Sequence, residues 1–246
     1  MLDIATRLAL GPVLLAQAAR LRRTALELPE PGGHRRGLAG RGRTALRLLV
    51  VGDSSAAGVG ARSQREALAQ PLAHTLARCL DGRVRWQLIA ESGLTSAGVL
   101  QRLMLERPAD ADVAVVIVGV NDITRDVPLA FALRHRSHIA NWLQVHARVR
   151  HVVFPALPEM ELFPAMPNPL AWYVGQAARR NNRAQARWAQ RHPGVTHLQM
   201  QGVANPDLFC EDGFHPSAAL YARVAERLAL HIVELARDSA PRSEAA

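Results

Sequence analysis

The fold is indicated most clearly by residues 113–122, VAVVIVGVND. Its first part, residues 113–118, is an apolar run that no polar residue interrupts. Such a run predicts a strand buried on both faces, as parallel strands are when helices cover both sides of a sheet. The residues that follow, 119–122, are small or polar and begin with glycine, which is typical of a loop that leaves a strand. We therefore predict that this strand lies at the centre of a parallel sheet.

The same pattern extends outward from this strand over most of the chain. Short apolar runs alternate with longer segments of helical period, which is typical of βα units. The other predicted strands are residues 47–51, 84–90, 151–154 and 195–199. The predicted helices are residues 65–80, 95–107, 128–149, 169–191 and 216–237. The sequence thus predicts an α/β fold, a flavodoxin-like three-layer sandwich with a five-stranded parallel sheet.

Composition excludes several classes of protein. The chain has 246 residues and is 49% hydrophobic, which is enough for one sizeable core and excludes a disordered or fibrous protein. Its 2 cysteines cannot form a disulfide framework. Every basic residue other than histidine is arginine, and the lack of lysine excludes P-loop nucleotide hydrolases and pyridoxal enzymes.

The arginines give a formal net charge of +9 but are scattered along the chain. Arg179, Arg183 and Arg187 form a stripe on one predicted helix, and we interpret it as a solvated face. No aromatic or recognition-helix pattern accompanies the stripe, so we expect no nucleic acid partner.

The first 45 residues are predicted to lie outside the main domain. Residues 8–19 form an apolar run too short to span a bilayer, and positive charge is denser after it than before it. That order of charges opposes export and favours a cytoplasmic protein. A helix packed on the domain and peripheral contact of residues 1–43 with a membrane surface are the open alternatives. Residues 29–43 are rich in Pro, Gly and Arg and predict a linker, so we place the domain at 46–238 and a polar tail at 239–246.

Small polar loops follow three of the predicted strands, and a fourth precedes the last helix. They read GDSS at 52–55, ESG at 91–93, GVND at 119–122 and DGFHP at 212–216. Ligands of such sheets bind at the carboxyl ends of the strands. We therefore expect the functional residues to lie in these loops.

The residues of these loops fit acyl transfer. A serine hydroxyl becomes a nucleophile when a histidine takes its proton and a carboxylate orients the imidazole, and we assign these roles to Ser54, His215 and Asp212. The negative oxygen of the tetrahedral intermediate needs fixed hydrogen-bond donors. The backbone N–H groups of Ser54 and Gly93 and the side-chain amide of Asn121 are the candidates for this oxyanion hole.

The four blocks GDSS, ESGLTSAG, GVND and DGFHP resemble the SGNH, or GDSL, hydrolase family in order and spacing. The resemblance covers residues 50–216 and implies the SGNH hydrolase fold and the same catalytic and oxyanion residues. We expect no metal, because the other histidines lack a third ligand nearby, and the proposed acyl transfer needs no cofactor. Two positions depart from the family pattern. Ser55 occupies the position of Leu in the GDSL motif that gives the family its name, and Glu91 occupies a position where a more typical member carries Asn.

An unusually apolar segment follows the fourth predicted strand. Residues 154–174 contain five prolines, and we name Leu162, Phe163 and Met166 as candidates for lining an acyl pocket or forming a mobile cover. A loop packed on the core is the alternative.

The main hypothesis is a serine hydrolase that cleaves carboxylic esters through an acyl-enzyme. Thioesters, O-acetylated sugars, acyl transfer to an alcohol and a non-catalytic flavodoxin-like binding module are the alternatives. The low aromatic content, 4%, offers few platforms for sugars and favours a lipid-like or simple acyl ester as substrate.

Overall fold

A computed structural model of the chain describes residues 2–200, 202–203 and 205–238. The predicted tail, 239–246, lies outside the described residues. The strands are β1 (Arg36–Ala39), β2 (Thr44–Gly52), β3 (Arg83–Ala90), β4 (Val113–Ile117), β5 (His151–Pro155) and β6 (Val195–Leu198). The helices are α1 (Leu2–Thr24), α2 (Ser54–Ala57), α3 (Ala69–Cys79), α4 (Ser96–Glu106), α5 (Val120–Thr124), α6 (Leu129–His146), α7 (Leu170–Ala189) and α8 (Ala218–Asp238). Single 3₁₀ turns occupy Met160–Leu162 and Pro206–Leu208.

The strands form one sheet in the order β1-β3-β2-β4-β5-β6. Strands β2 to β6 are parallel, and their order is that of a flavodoxin-like sheet, so the predicted fold class is confirmed. The apolar run at 113–118 forms β4, which lies between β2 and β5. Val113, Ala114 and Val115 are at most 1% exposed, as expected for a central strand with helices on both faces.

The sheet has a sixth strand that the sequence did not predict. Strand β1 lies inside the segment interpreted as a linker, and it pairs antiparallel with β3, from Arg36 opposite Gln87 to Ala39 opposite Val84. The prediction of five strands and of a linker over 29–43 is wrong at this point. Only Ala39 of this short edge strand is buried, so its sequence does not alternate between apolar and polar residues. The strand is formed by backbone hydrogen bonds to β3, which a side-chain pattern does not reveal.

Alternate side chains of the strands enter two cores, one on each face of the sheet. One core packs under α3 and α8, where Leu72, Leu76, Leu228 and Ile232 are fully buried. The other packs under α4 and α6, where Leu103, Ile139 and Leu143 are fully buried. The predicted helices therefore provide the two outer layers, and the carboxyl ends of the strands are left for loops.

Helix α1 is packed on the domain. Its Leu14 is buried against α7 and the segment that follows β5, while Val13 and Leu15 are exposed. The Gln17 side chain fixes the contact, because its Nε2 donates to the carbonyl of Asn168 at 2.7 Å and its Oε1 accepts from the N–H of Leu170 at 3.1 Å. In the part of the chain described, no helix combines the length and apolar character needed to cross a membrane.

Candidate active site

The candidate residues meet where the order of the sheet reverses, between β2 and β4. Gly52 at the end of β2 is level with Ala90 of β3 and Ile117 of β4. The loops after these three strands therefore leave the sheet side by side. They carry Ser54, Gly93 and Asn121, which the sequence had assigned to a nucleophile and an oxyanion hole.

A tight turn from β2 into α2 holds Ser54. A side chain at Gly52 would collide with the carbonyl oxygen of Ile117, so only glycine lets the chain turn here. Asp53 is the N-cap of α2, and its Oδ1 accepts a hydrogen bond from the N–H of Ser55 at 3.1 Å. Ser54 is consequently the first residue of a fixed helical turn, with its side chain only 8% exposed.

Ser54, His215 and Asp212 form a continuous hydrogen-bonded chain. The Oγ of Ser54 is 2.9 Å from Nε2 of His215, and Nδ1 of the same imidazole is 2.6 Å from Oδ2 of Asp212. The other carboxylate oxygen, Oδ1, accepts from the backbone N–H groups of Phe214 and His215, each at 2.9 Å. The structure thus brings together the three residues that the sequence assigned to nucleophile, base and orienting acid.

The Asp212 carboxylate is held in its ionised form. Partial burial alone would raise its pKa, but the hydrogen bonds from His215 and from the Phe214 N–H lower the pKa below its usual value. An ionised Asp212 keeps the proton of His215 on Nδ1, which leaves Nε2 as an acceptor for the Ser54 hydroxyl.

The candidate donors for an oxyanion lie in the loops that follow β2, β3 and β4. The N–H of Ser54 lies at the start of α2, Gly93 has a positive φ of 79°, and neither N–H has an acceptor among the described residues. The Nδ2 of Asn121 donates to the carbonyl of Leu94 at 3.1 Å and approaches Oδ2 of Asp53 at 3.5 Å. The first bond is well formed and the second is long, so one N–H of this amide is weakly held and available to a substrate oxygen.

Asp53 is a polar residue of the site to which the sequence analysis assigned no role. It is 3% exposed, and burial raises the pKa of its carboxyl to about 7, with the nearby Asp122 adding to the rise. It touches both the turn that holds Ser54 and the amide of Asn121. The sequence could have indicated a role for Asp53, because this residue directly precedes the serine in GDSS.

A buried network that the sequence analysis also missed supports the Asn121 loop. Asp122 accepts from the N–H of Ser96 at 2.9 Å, from the Oγ of Ser96 at 2.5 Å and from Nη2 of Arg136 at 3.2 Å. Arg136 is 0% exposed and donates through Nη1 to Gln185 of α7 at 2.8 Å. The network ties the loops after β3 and β4 to helices α6 and α7. Asp122 and Ser96 lie within the quoted blocks GVND and ESGLTSAG, whereas Arg136 and Gln185 lie in ordinary helical segments.

A cavity of about 600 Å³ opens at the serine. Besides Ser54 and Asn121, apolar side chains contribute much of its lining, among them Leu157, Phe163, Met200, Val203, Phe209, Phe214 and Val224. A site of this size and character can accommodate an acyl chain.

The three candidates for substrate contact have different surroundings. Phe163 lies on the cavity wall, where its ring packs 4.9 Å from that of Phe209 and 5.0 Å from that of Phe214. Met166 packs in the buried cluster beneath α1 and α7, and Leu162 belongs to a 3₁₀ turn; neither is among the described residues that line the cavity. Met166 is 8% exposed within that cluster, so its side chain packs in the core and not at the wall.

A curated esterase is similar to this chain in sequence. GDSL-like esterase Rv1075c of Mycobacterium tuberculosis is 31% identical over 193 residues, which are 75% of this chain and 61% of that protein. The chain therefore spans less than two thirds of its curated relative.

Solved structures share the fold at low sequence identity. The lipase Lip_vut3 from a goat rumen metagenome superposes with a TM-score of 0.59 at 20% identity, over 74% of this chain and 95% of that one. A carbohydrate esterase family 3 protein from Talaromyces cellulolyticus also gives 0.59, at 14% identity, over 79% of this chain and 100% of the other. The family described as GDSL-like Lipase/Acylhydrolase matches residues 50–223, and the chain belongs to that family.

Proposed function

We propose that the protein is a serine hydrolase that cleaves carboxylic esters through an acyl-enzyme on Ser54. The observation that carries the proposal is the unbroken hydrogen-bonded chain from Ser54 Oγ through His215 to Asp212, with distances of 2.9 and 2.6 Å, in which Ser54 lines a cavity with many apolar side chains. Membership of the GDSL-like lipase/acylhydrolase family supports the same chemistry.

In the first half of the reaction, Nε2 of His215 takes the proton of the Ser54 hydroxyl as Oγ attacks the ester carbonyl carbon. The carbonyl oxygen becomes negative and is bound by the N–H groups of Ser54 and Gly93 and the amide of Asn121. When the tetrahedral intermediate collapses, the bond to the alcohol oxygen breaks, and His215 returns the proton to the departing alcohol.

In the second half, water replaces the alcohol. The water oxygen attacks the acyl carbon while His215 takes a proton from the water. The proton then passes to Ser54 Oγ as the acyl–enzyme bond breaks. The carboxylic acid leaves and the serine is restored. Asp212 stabilises the imidazolium in both halves without itself becoming protonated.

The cavity supports a lipid-like or simple acyl ester as the substrate. Its apolar wall includes Phe163, Phe209 and Phe214, so burial of an acyl chain would be favourable at roughly 25 cal/mol for each Å² removed from water. Substrates with longer acyl chains should then bind more tightly until the cavity is filled.

The test is hydrolysis of p-nitrophenyl esters from acetate to palmitate by the purified protein and by Ser54→Ala. We expect turnover that rises with acyl length to a maximum, and a loss on the order of 10⁶-fold in the variant. A fluorophosphonate should label Ser54 in the native protein, as located by mass spectrometry of the peptide. Equal rates for native protein and variant, or no labelling of Ser54, would reject the proposal.

A further inference from the structure

One face of α7 lines the same cavity as Ser54. The cavity-lining residues of this helix are Arg179, Asn182, Arg183, Ala186 and Arg187. Their spacing of three and four residues is that of a single helical face. The arginine stripe interpreted from the sequence as a solvated face is therefore part of the wall of the cavity that contains the nucleophile.

Two of these arginines have no partner among the residues that the structure describes. Arg179 is paired with Glu161, but Arg183 and Arg187 are exposed and make no hydrogen bond or ion pair with any described residue. The carboxylates of the described lining are Glu159 and the buried Asp53. The arginines therefore outnumber the acids on this wall.

The arginine face is held in place by its neighbour Asn182. Its Oδ1 accepts from the N–H of Leu157 at 2.8 Å, and its Nδ2 donates to the carbonyl of the same residue at 2.9 Å. This pair of bonds fixes α7 to the segment after β5, which forms the adjacent apolar wall. Arg183 and Arg187, beside Asn182 on the same face, thus project from a fixed support.

The cavity consequently has two chemical surfaces. One is apolar, with Phe209 and Phe214, and the other presents the guanidinium groups of Arg183 and Arg187, for which the described part of the chain supplies no partner. A guanidinium offers several N–H donors in a planar fork that matches the oxygens of a carboxylate or phosphate. A neutral ester would use only the apolar surface.

We propose that the site takes amphipathic esters that carry an anionic group, with Arg183 and Arg187 binding its oxygens while the ester carbonyl lies at Ser54. The inference rests on the proposed ester hydrolysis and narrows its substrate class. Carboxylate and phosphate share the required chemistry. The anionic group can belong to the acyl chain or to the alcohol, and matched substrates distinguish the two.

The first experiment compares charged and neutral esters of nearly equal size. For the acyl side, the pair is mono-p-nitrophenyl suberate and its methyl ester; for the alcohol side, p-(octanoyloxy)benzenesulfonate and the corresponding sulfonamide. We expect kcat/KM for the anionic member of at least one pair to exceed that of the neutral member by about fivefold to twentyfold at low salt. The ratio should fall as salt is added, because the arginines are exposed.

The second part assigns the preference to the arginines. In the double variant Arg183→Gln and Arg187→Gln, the anionic-to-neutral ratio should fall close to one. Arg191→Gln is the matched control, since Arg191 is exposed just beyond the end of α7 and is not among the described cavity residues. A ratio near one in the native protein for both pairs, or an unchanged ratio in the double variant, would overturn the inference.

A binding measurement separates this inference from the proposed catalysis. Calorimetry on Ser54→Ala should show octyl phosphate binding more tightly than octanol, and the difference should disappear when Arg183→Gln and Arg187→Gln are added. If neutral esters are hydrolysed but octyl phosphate binds no more tightly than octanol, the anionic site is rejected and the proposed ester hydrolysis is supported. If no ester is hydrolysed but octyl phosphate binds more tightly than octanol and this difference depends on the arginines, the anionic site is supported and the proposed ester hydrolysis is rejected.

Discussion

The Asn121 amide joins two parts of the site, because it holds the Leu94 carbonyl with one N–H and can bind the oxyanion with the other. We predict that Asn121→Ala lowers kcat by about 10²-fold to 10³-fold, the usual effect of removing one oxyanion donor. The measurement is steady-state hydrolysis of the best p-nitrophenyl ester, with thermal unfolding recorded for both proteins. A rate within a factor of two of the native rate, in a variant with native stability, would remove Asn121 from the oxyanion hole.

Asp53 should make the stability of the protein depend on pH. Burial raises the pKa of its carboxyl to about 7, whereas in the unfolded chain it ionises near the usual value of 3.8. Between these values the folded state binds one more proton than the unfolded state, so the free energy of unfolding falls as pH rises through this window and is level above it. The total effect is on the order of 4 kcal/mol.

The test is chemical denaturation of Asp53→Asn at pH 5, 6, 7 and 8. An amide does not ionise, so we expect the free energy of unfolding of the native protein to fall relative to that of the variant as pH rises from 5 to 7. Glu66→Gln is the control, because Glu66 is exposed. Parallel pH profiles for native protein and Asp53→Asn would show that Asp53 is ionised throughout.

At the scale of single residues, sequence could locate the groups that stand in compact motifs and no others. Ser54 lies two residues after Gly52 at the end of β2, and Asp212 and His215 directly precede Gly213 and Pro216 in the loop before α8, so short motifs marked all three. Arg136 stands within an ordinary helical segment, and its burial depends on Asp122 and Gln185, which are 14 and 49 residues away in the chain. No local pattern specifies such a set of partners.

At the scale of elements, helix α6 carries a buried charged side chain on which the stability of the protein should depend. Its Arg136 is fully buried against Asp122, so Arg136→Met would leave that carboxylate without its cation. We predict a loss of about 3–5 kcal/mol in the free energy of unfolding, measured by urea denaturation. Gly119 packs against the guanidinium, so the loop that carries Asn121 should loosen as well.

An exposed ion pair provides the control for this prediction. Arg148 is 80% exposed and lies 3.7 Å from Asp110, so Arg148→Met should change the free energy of unfolding by less than about 1 kcal/mol. Equal losses for the two variants would mean that the buried pair contributes no more than a surface pair.

Sequence patterns predicted the elements of the fold well where apolar residues form an uninterrupted run or a single helical face. Strand β4 and helix α8 have long apolar runs or faces, and both lie within two residues of the predicted bounds. Strand β1 differs, because three of its four residues are exposed or half-buried and its pairing with β3 is made by the backbone. Backbone pairing leaves no trace in the order of side chains.

For the molecule as a whole, α1 should contribute to the stability of the domain. Leu14 is 7% exposed and packs into the cluster below α7, whereas its neighbour Leu15 is 69% exposed. We predict that Leu14→Ala lowers the free energy of unfolding by about 2–3 kcal/mol, as expected for a buried leucine. Leu15→Ala should change it by less than about 0.5 kcal/mol.

Thermal or urea unfolding of the two variants provides the measurement. A single transition that shifts in Leu14→Ala and not in Leu15→Ala would mean that α1 and the sheet unfold together. If both variants match the native protein, α1 is not coupled to the domain in solution.

Ser54 and His215, the proposed nucleophile and base, are 161 residues apart in the chain, and this separation sets when the proposed reaction can first occur. At a synthesis rate of about 5–20 residues per second, the ribosome completes Ser54 roughly 8 to 32 s before it reaches His215. During that interval the emerging chain has its serine turn but no histidine to activate the hydroxyl. The Ser54 hydroxyl should therefore be unreactive towards esters while the protein is being translated. It should become reactive only when the loop that carries His215 packs at the edge of the sheet.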